Sequence, residues 1–235
     1  RAKQLIPVAN QPVLYYGIEA IRDAGIRDIG IVVGDTAAEV KEAVGTGSRF
    51  NVKVTYIQQE EPLGLAHAVK VSADFLGDSP FVMYLGDNLI APGITDLVSQ
   101  FQKNTPDAMI LLAQVDHPEW FGVAELEEGR VARLMEKPKR PKSDLALVGV
   151  YMFTGGVLEA VNSISPSQRG ELEITDAIQW MVDRGMRVEP HLVQGWWKDT
   201  GRVEDLLEAN RIVLDTFSED IRGTVDKKSQ VEFKV

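Results

Sequence analysis

The sequence contains no cysteine and only three histidines in 235 residues. Without thiols there is neither a disulfide framework nor a thiolate metal site. His67, His117 and His191 are scattered, without the spacing of metal ligands. No apolar run approaches the ~20 residues that span a bilayer, so no membrane association is expected and the cytoplasm is the simplest location. Positive charge is scarce, with 25 Lys and Arg against 35 Asp and Glu and a net charge of −10. That balance argues against sequence-independent nucleic-acid binding, which needs many cationic contacts to phosphates. Small anionic ligands are still allowed, because a local group of cations, metal ions and backbone N–H groups can hold phosphate on an acidic protein. Three motifs are also missing. No G-x-G-x-x-G supports a nicotinamide dehydrogenase, Gly45-Thr46-Gly47-Ser48 lacks the lysine and spacing of a P-loop, and no G-x-S-x-G supports a hydrolase elbow.

A hydrophobic content of 44% is enough for a substantial core. Helical stretches are expected from Pro12 to Ala24, up to Val44, and over Leu65–Ala73 and Ile94–Phe101. They alternate with apolar strands at Ile29–Val33, Val52–Ile57, Phe81–Leu85 and Ala108–Ala113. The alternation predicts an α/β, Rossmann-like, mostly parallel sheet flanked by helices. From Gly122 a β-rich insertion is expected, with a hairpin turning at Glu127-Glu128-Gly129-Arg130 and a strand at Leu145–Phe153. Helices are expected at Ile174–Arg184 and Val203–Leu214, the second capped by Thr200. Residues 1–216 read as one domain. Residues 217–235 read either as a plain tail or as the start of a C-terminal hexapeptide β-helix, since Val225 and Val231 stand six apart beside Asp226 and Glu232.

Phe81-Val82-Met83-Tyr84-Leu85-Gly86-Asp87-Asn88 delivers a carboxylate to the C-terminal end of a buried strand, where ligands of open α/β sheets sit. Asp199 closes a similar run at Trp196-Trp197-Lys198-Asp199-Thr200-Gly201. Two such carboxylates, with no cysteine, suit a hard cation such as Mg²⁺ shared with phosphate, although Asp199 by itself could merely favour the start of the next helix. Lys3 reads as a surface lysine or as a flexible ammonium that grips phosphate. Gln59 offers the donor and acceptor needed to read a pyrimidine edge, and Gly64 lets a base approach the backbone. Turn polarity and an ordinary helix start explain the same two residues without a ligand. Glu136 could accept sugar hydroxyls and Lys137 meet a phosphate, against the plain alternative of a solvated charged turn. If the strand stays extended, these two point to opposite faces unless the turn re-aims one of them.

In this order the segments resemble the sugar-phosphate nucleotidyltransferases, and within them the glucose-1-phosphate thymidylyltransferases. The resemblance runs over about residues 1–215. It rests on Ala2-Lys3-Gln4-Leu5-Ile6-Pro7-Val8, Gln59 with Pro62-Leu63-Gly64-Leu65-Ala66, Leu85-Gly86-Asp87-Asn88, Phe121-Gly122-Val123, Glu136-Lys137-Pro138, Val148-Gly149-Val150-Tyr151, Arg169-Gly170-Glu171-Leu172-Glu173-Ile174-Thr175-Asp176 and Trp197-Lys198-Asp199-Thr200-Gly201. The resemblance implies that Asp87 and Asp199 hold Mg²⁺ and that Gln59 and Gly64 read thymine or uracil. It implies that Lys3 contacts the nucleotide phosphates, and that Gly122, Glu136, Lys137 and Tyr151 bind the hexose 1-phosphate, with Lys137 at its phosphate. Lys3, Asp87, Lys137 and Asp199 are then the catalytic set. The family's glycine-rich loop, which precedes the Lys-x-Leu-x-Pro segment, is absent from the chain, so a longer natural protein and weak nucleotide binding by this polypeptide are expected. Phe121 stands where many relatives have tyrosine.

The reaction implied is dTTP plus α-glucose 1-phosphate giving dTDP-glucose and pyrophosphate. The attacking phosphate oxygen is already anionic, so alignment and electrostatic stabilisation carry an in-line displacement without a triad or covalent intermediate. Two alternatives stand beside it. One is a UTP-dependent uridylyltransferase for a hexose 1-phosphate, because one methyl group separates the two base pockets. The other is a non-catalytic sugar-phosphate or nucleotide sensor, or an assembly subunit. A homo-oligomer is expected.

Overall fold

The computed structural model describes residues 2–217 and 224–230. After a 3-10 turn at Lys3–Leu5, β1 (Pro7–Val8) and β2 (Gln11–Pro12) pair in a small antiparallel ladder. α1 (Val13–Asp23) buries Leu14, Tyr15, Ile18 and Ile21 in the main core and Val13 in a smaller cluster with Ala209 and Val213. β3 (Asp28–Val33), α2 (Ala37–Val44) and β4 (Lys53–Gln58) form a β-α-β unit with parallel strands. α3 (Leu65–Val71) and α4 (Ala73–Leu76) lead to β5 (Phe81–Tyr84) and β6 (Asn88–Ala91). Next come α5 (Thr95–Asn104), β7 (Ala108–Gln114), the hairpin of β8 (Gly122–Glu127) and β9 (Arg130–Glu136), and the long strand β10 (Leu145–Phe153). α6 (Val157–Ser163), α7 (Ile174–Asp183), β11 (Val188–Leu192), β12 (Trp196–Asp199) and α8 (Val203–Asp215) complete the order.

The α/β character stands, but the sheet is mixed, not mostly parallel. Among the described residues the parallel pairs are β7–β11, within a six-stranded sheet of order β11-β7-β10-β8-β9 with β5 also on β10, and β3–β4, which like β6–β12 forms a separate two-stranded sheet. β10 runs antiparallel to β5, β7 and β8, and β12 runs antiparallel to β6. The cause is the connection between β7 and β10. It carries a hairpin and no crossover helix, so the chain returns in the opposite direction. The hairpin itself forms where expected. Glu128 and Gly129 both take positive φ, 49° and 77°, as a two-residue turn matched to strand twist requires.

The central strands are covered on both faces. Along β7 the side chains alternate, with Met109 and Leu111 packing among α1, α2 and α5 while Ala108, Ile110 and Leu112 pack among α3, α6 and α7. β10 does the same with Val148, Val150 and Met152 against Leu147, Tyr151 and Phe153. A register shift falls between Leu147 and Tyr151. Ala146, before the shift, pairs with β8, and Val150–Phe153, after it, pair with β5. Between them the sheet opens at Val148 and Gly149, and the candidate site lies beside this opening.

The tail forms no β-helix rung within residues 224–230. Asp226 closes a turn there instead: its Oδ1 accepts the Lys228 N–H at 2.7 Å and its carbonyl accepts the Ser229 N–H at 2.9 Å. The second expected rung, residues 231–235, lies outside the described residues. No helix among the described residues is long and apolar enough to cross a membrane.

Candidate functional site

The floor of the site is built where β5 and β12 deliver their ends. Leu85 N–H donates to the Gly149 carbonyl at 2.8 Å, which docks the Leu85-Gly86-Asp87 turn onto the opening in β10. Asn88 is 2% exposed and acts as the keystone. Its Oδ1 accepts Trp197 Nε1–H at 2.6 Å and Gly149 N–H at 3.3 Å, and its Nδ2 donates to Asp87 Oδ1 at 3.1 Å. Antiparallel pairing of β12 with β6 sets Asp199 opposite Asn88. Thr200 then locks the two turns together, donating both its N–H (2.9 Å) and its Oγ1–H (2.7 Å) to the Asp87 carbonyl. Thr200 was expected as a helix cap, but α8 is preceded by Arg202, and the buried threonine hydroxyl joins the two acidic turns instead. Gly86 has a packing reason as well as a ligand one, since a Cβ there would stand 3.0 Å from Leu14 Cδ1.

Lys3 closes this cluster, its Nζ 2.5 Å from Asp87 Oδ2. Burial works to lower the Lys3 pKa, but the hydrogen bond to Asp87 and the charges of Asp87 and Asp199 outweigh it, and the net shift is upward. Asp199 is also pushed above its ordinary value, first by burial, then by the neighbouring Asp87 charge. The Gly201 N–H, at 2.8 Å, and Lys3 oppose the rise. Two carboxylates and an ammonium are thus held together by main-chain geometry. Among the described residues no three His, Cys, Asp or Glu side chains assemble into a metal cage. The donor set nevertheless fits Mg²⁺, which is typically held by one or two carboxylates with substrate phosphates completing its shell.

Gln59 follows β4, and its Nε2 reaches the Gly64 carbonyl at 3.3 Å and His67 Nδ1 at 3.0 Å. Gly64, before α3, has φ 103°, and a Cβ there would stand 2.5 Å from the Leu172 carbonyl oxygen. The glycine is therefore demanded by the chain segment it docks on. Leu172 N–H donates to Leu63 O at 2.7 Å, and Ala66 N–H donates to Leu172 O at 3.0 Å.

The third group gathers around Glu136, at the end of β9. Arg169 Nη1 lies 3.3 Å from Glu136 Oε1, and Thr175 Oγ1 donates to Oε2 at 3.4 Å. Gly122 sits against Glu136 and Thr175, since a Cβ there would stand 2.8 Å from Thr175 Cγ2 and 3.2 Å from Glu136 Oε2. Burial raises the Glu136 pKa and the Glu173 charge adds to it, against Lys137, Arg169 and the Thr175 hydroxyl. Lys137 takes φ 41°, so the backbone is no longer extended there, and its N–H donates to Phe121 O at 3.0 Å. Tyr151 lies in the buried middle of β10, and burial, with the Glu136 charge, pushes its phenol pKa far up.

These three groups are linked by contacts. The Phe121 ring meets the Trp197 ring edge-on at 5.4 Å, joining the Gly122 side to the Asp199 side. Trp120 stacks on His117 at 4.2 Å and has the Arg202 guanidinium over its ring at 4.3 Å, a second bridge between the same two turns. The segment 169–175 joins the Gly64 loop to Glu136. A separate hollow of about 500 Å³, lined by Ile90, Asp96, Leu97 and His191 among others, contains none of the candidate residues. Sequence reasoning missed the supporting shell: Asn88 as keystone, Thr200 as the lock, Arg169 and Thr175 beside Glu136, and His67 beside Gln59. Asn88, Arg169, Thr175 and Thr200 sat within the motifs already quoted, and their polarity next to a candidate residue was the available signal. His67, four residues beyond Leu63 on a short helix, offered none.

Comparison with known proteins agrees with this architecture. The model of the nucleotidyl transferase family matches residues 1–216. A glucose-1-phosphate thymidylyltransferase of Streptomyces griseus is 58% identical over 231 residues, covering 98% of this chain, and the chain spans 65% of that relative's length. A Bacillus anthracis crystal structure, assigned as a glucose-1-phosphate thymidylyltransferase and solved with sucrose, superposes with a TM-score of 0.85 at 35% identity, covering 93% of this chain and 89% of that one. A UDP-glucose pyrophosphorylase bound to UDP-glucose gives 0.80 at 25% identity, over 92% of this chain and 91% of that one. A match through nearly all of the described chain, in sequence and in fold, carries one conclusion: the chain belongs to the nucleotidyl transferase family, alongside the glucose-1-phosphate thymidylyltransferases.

Proposed function

We propose that the protein transfers a nucleotidyl group from dTTP to α-glucose 1-phosphate, giving dTDP-glucose and pyrophosphate, with residues 1–216 as the catalytic domain. The observation that carries this reading is the meeting of Lys3, Asp87 and Asp199 in one cluster. The activity named for the Streptomyces griseus relative supports the choice of substrates.

In this reading Lys3 leaves Asp87 for the nucleotide phosphates. Gln59 and the Gly64 backbone meet the base. Glu136, held by Arg169 and Thr175, accepts hydroxyls of the sugar, with Gly122 allowing close approach and Tyr151 lying behind. Lys137 meets the sugar phosphate and offsets its charge as it nears a second anion. Asp87 and Asp199 hold Mg²⁺, which when bound supplies charge stabilisation to the phosphates. The nucleophile needs no deprotonation, so the residues align and screen the reacting groups and no proton moves to a side chain.

The test is pyrophosphate release by the full-length protein across a panel of nucleoside triphosphates and sugar 1-phosphates. Release with dTTP and glucose 1-phosphate is expected. Asp87→Asn should reduce turnover by about 100-fold or more while melting within a few degrees of the wild type, and near-normal turnover in that variant would overturn the assignment. Fastest turnover with UTP would favour the uridylyltransferase alternative, which the fold shared with UDP-glucose pyrophosphorylase supports. No release with any pair would favour a non-catalytic sensor.

A further inference from the structure

We propose that His67 is a positioning residue that fixes which end of the Gln59 amide meets the nucleobase, and so selects pyrimidines that present an imide N–H. The inference rests on Gln59 being the base contact, as proposed above. It deepens that reading by adding a residue and a rule of selection.

The hydrogen-bond inventory around Gln59 permits one orientation. A carbonyl oxygen can only accept, so the Gln59 atom facing the Gly64 carbonyl at 3.3 Å must be the NH₂ group. The same nitrogen faces His67 Nδ1 at 3.0 Å. Its two hydrogens are therefore both engaged, one on each partner. His67 Nδ1 must accept, which places the ring proton on Nε2. What the Gln59 side chain has left is Oε1. No buried side-chain oxygen or nitrogen among the described residues lacks a partner, and Oε1 makes no hydrogen bond there, so it reaches open space.

An amide locked this way is an acceptor toward any ligand. Thymine and uracil present an N3–H donor to it, whereas cytosine presents an N3 lone pair, and two acceptors repel. Gly64 contributes through its own carbonyl, which also accepts the Ala68 N–H at 3.2 Å and so is held by the start of α3, with no room for a side chain between the glycine and Leu172. His67 supplies the second constraint from the first turn of α3. Without His67 the amide keeps one anchor at the longer of the two distances and is free to turn its NH₂ toward the ligand.

The test measures equilibrium binding of dTTP and dCTP to the full-length protein, without sugar phosphate, in the wild type, His67→Leu and His67→Gln. The wild type should prefer dTTP. His67→Leu should lose about tenfold of that preference, and His67→Gln, whose carbonyl can again accept from Gln59, should recover most of it. A general structural role for His67 would weaken both nucleotides alike, so an unchanged dTTP:dCTP ratio in His67→Leu would overturn the proposal. Nitrogen NMR of histidine-labelled wild type in mildly alkaline buffer gives a second readout that needs no variant. The Nε2–H tautomer is expected, and an Nδ1–H tautomer would overturn the proposal. Because neither arm reads turnover, a protein that binds thymidine nucleotides selectively but forms no sugar nucleotide would count against the proposed reaction and not against this one.

Discussion

Asp199 illustrates what placing a carboxylate beside another acid costs the folded chain. Burial and the Asp87 charge raise its pKa above the ordinary 3.8. A carboxyl raised in the folded state favours folding while it is protonated. That contribution is complete below the ordinary value and is lost as pH climbs through the raised one. At neutral pH, without metal or nucleotide, the ionised group therefore opposes stability. Asp199→Asn keeps an acceptor for the Gly201 N–H and removes the repulsion, so it should melt higher than the wild type by on the order of 2 °C. The gain should vanish as pH approaches the ordinary carboxylate range, and turnover should be lost throughout. A variant melting no higher than the wild type at neutral pH would contradict this account. At this scale an acid at the end of an apolar run singled out Asp87 and Asp199, whereas Lys3 by itself read as a surface lysine, and its approach to Asp87 at 2.5 Å is a long-range contact that no local pattern announces. The sequence was silent about Thr200 as a lock, since a threonine before a helix reads equally well as a cap.

Elements were legible in proportion to their length and their turn chemistry. α7 follows from one-sided apolar spacing, α1 from Pro12 and Gly25 at its ends, and the β8–β9 hairpin from the turn at Glu127-Glu128-Gly129-Arg130. The four-residue strands β6 and β12 were not marked as strands. Their pairing depends on Asn88 and Trp197 meeting across 109 residues, which no local pattern encodes. Glycines carry a comparable distinction. Gly64 and Gly129 both take positive φ, but a Cβ on Gly64 would strike the Leu172 backbone at 2.5 Å, while one on Gly129 meets nothing within 4 Å. Gly64→Ala is expected to cost about 1–3 kcal/mol or more, with Gly129→Ala at or below the low end of that range. Urea unfolding measures both, and equal losses would refute the docking role given to Gly64.

Across the whole molecule, the alternation of helix and strand correctly indicated a sheet covered on both faces but misled on direction. Strand direction depends on how the chain returns, and a hairpin between β7 and β10 reverses what a helix would have preserved. The net charge of −10 is likewise a global number that hides the local arrangement, in which Lys3 already offsets part of the charge on the two carboxylates. Mg²⁺ alone should therefore raise the melting temperature of the full-length protein only slightly. Mg²⁺ with dTTP should raise it by several degrees, as a ligand bound to the folded state does. A large shift with Mg²⁺ alone would mean that the chain holds the ion without help from phosphate.

The double tether from Thr200 to the Asp87 carbonyl has a consequence for the proposed reaction. Forcing two like charges into proximity is work that some step must perform. Here it is done once, while the polypeptide folds, and arriving substrates meet a pair already spaced. In that reaction each turnover would begin from a preset gap rather than having to close one.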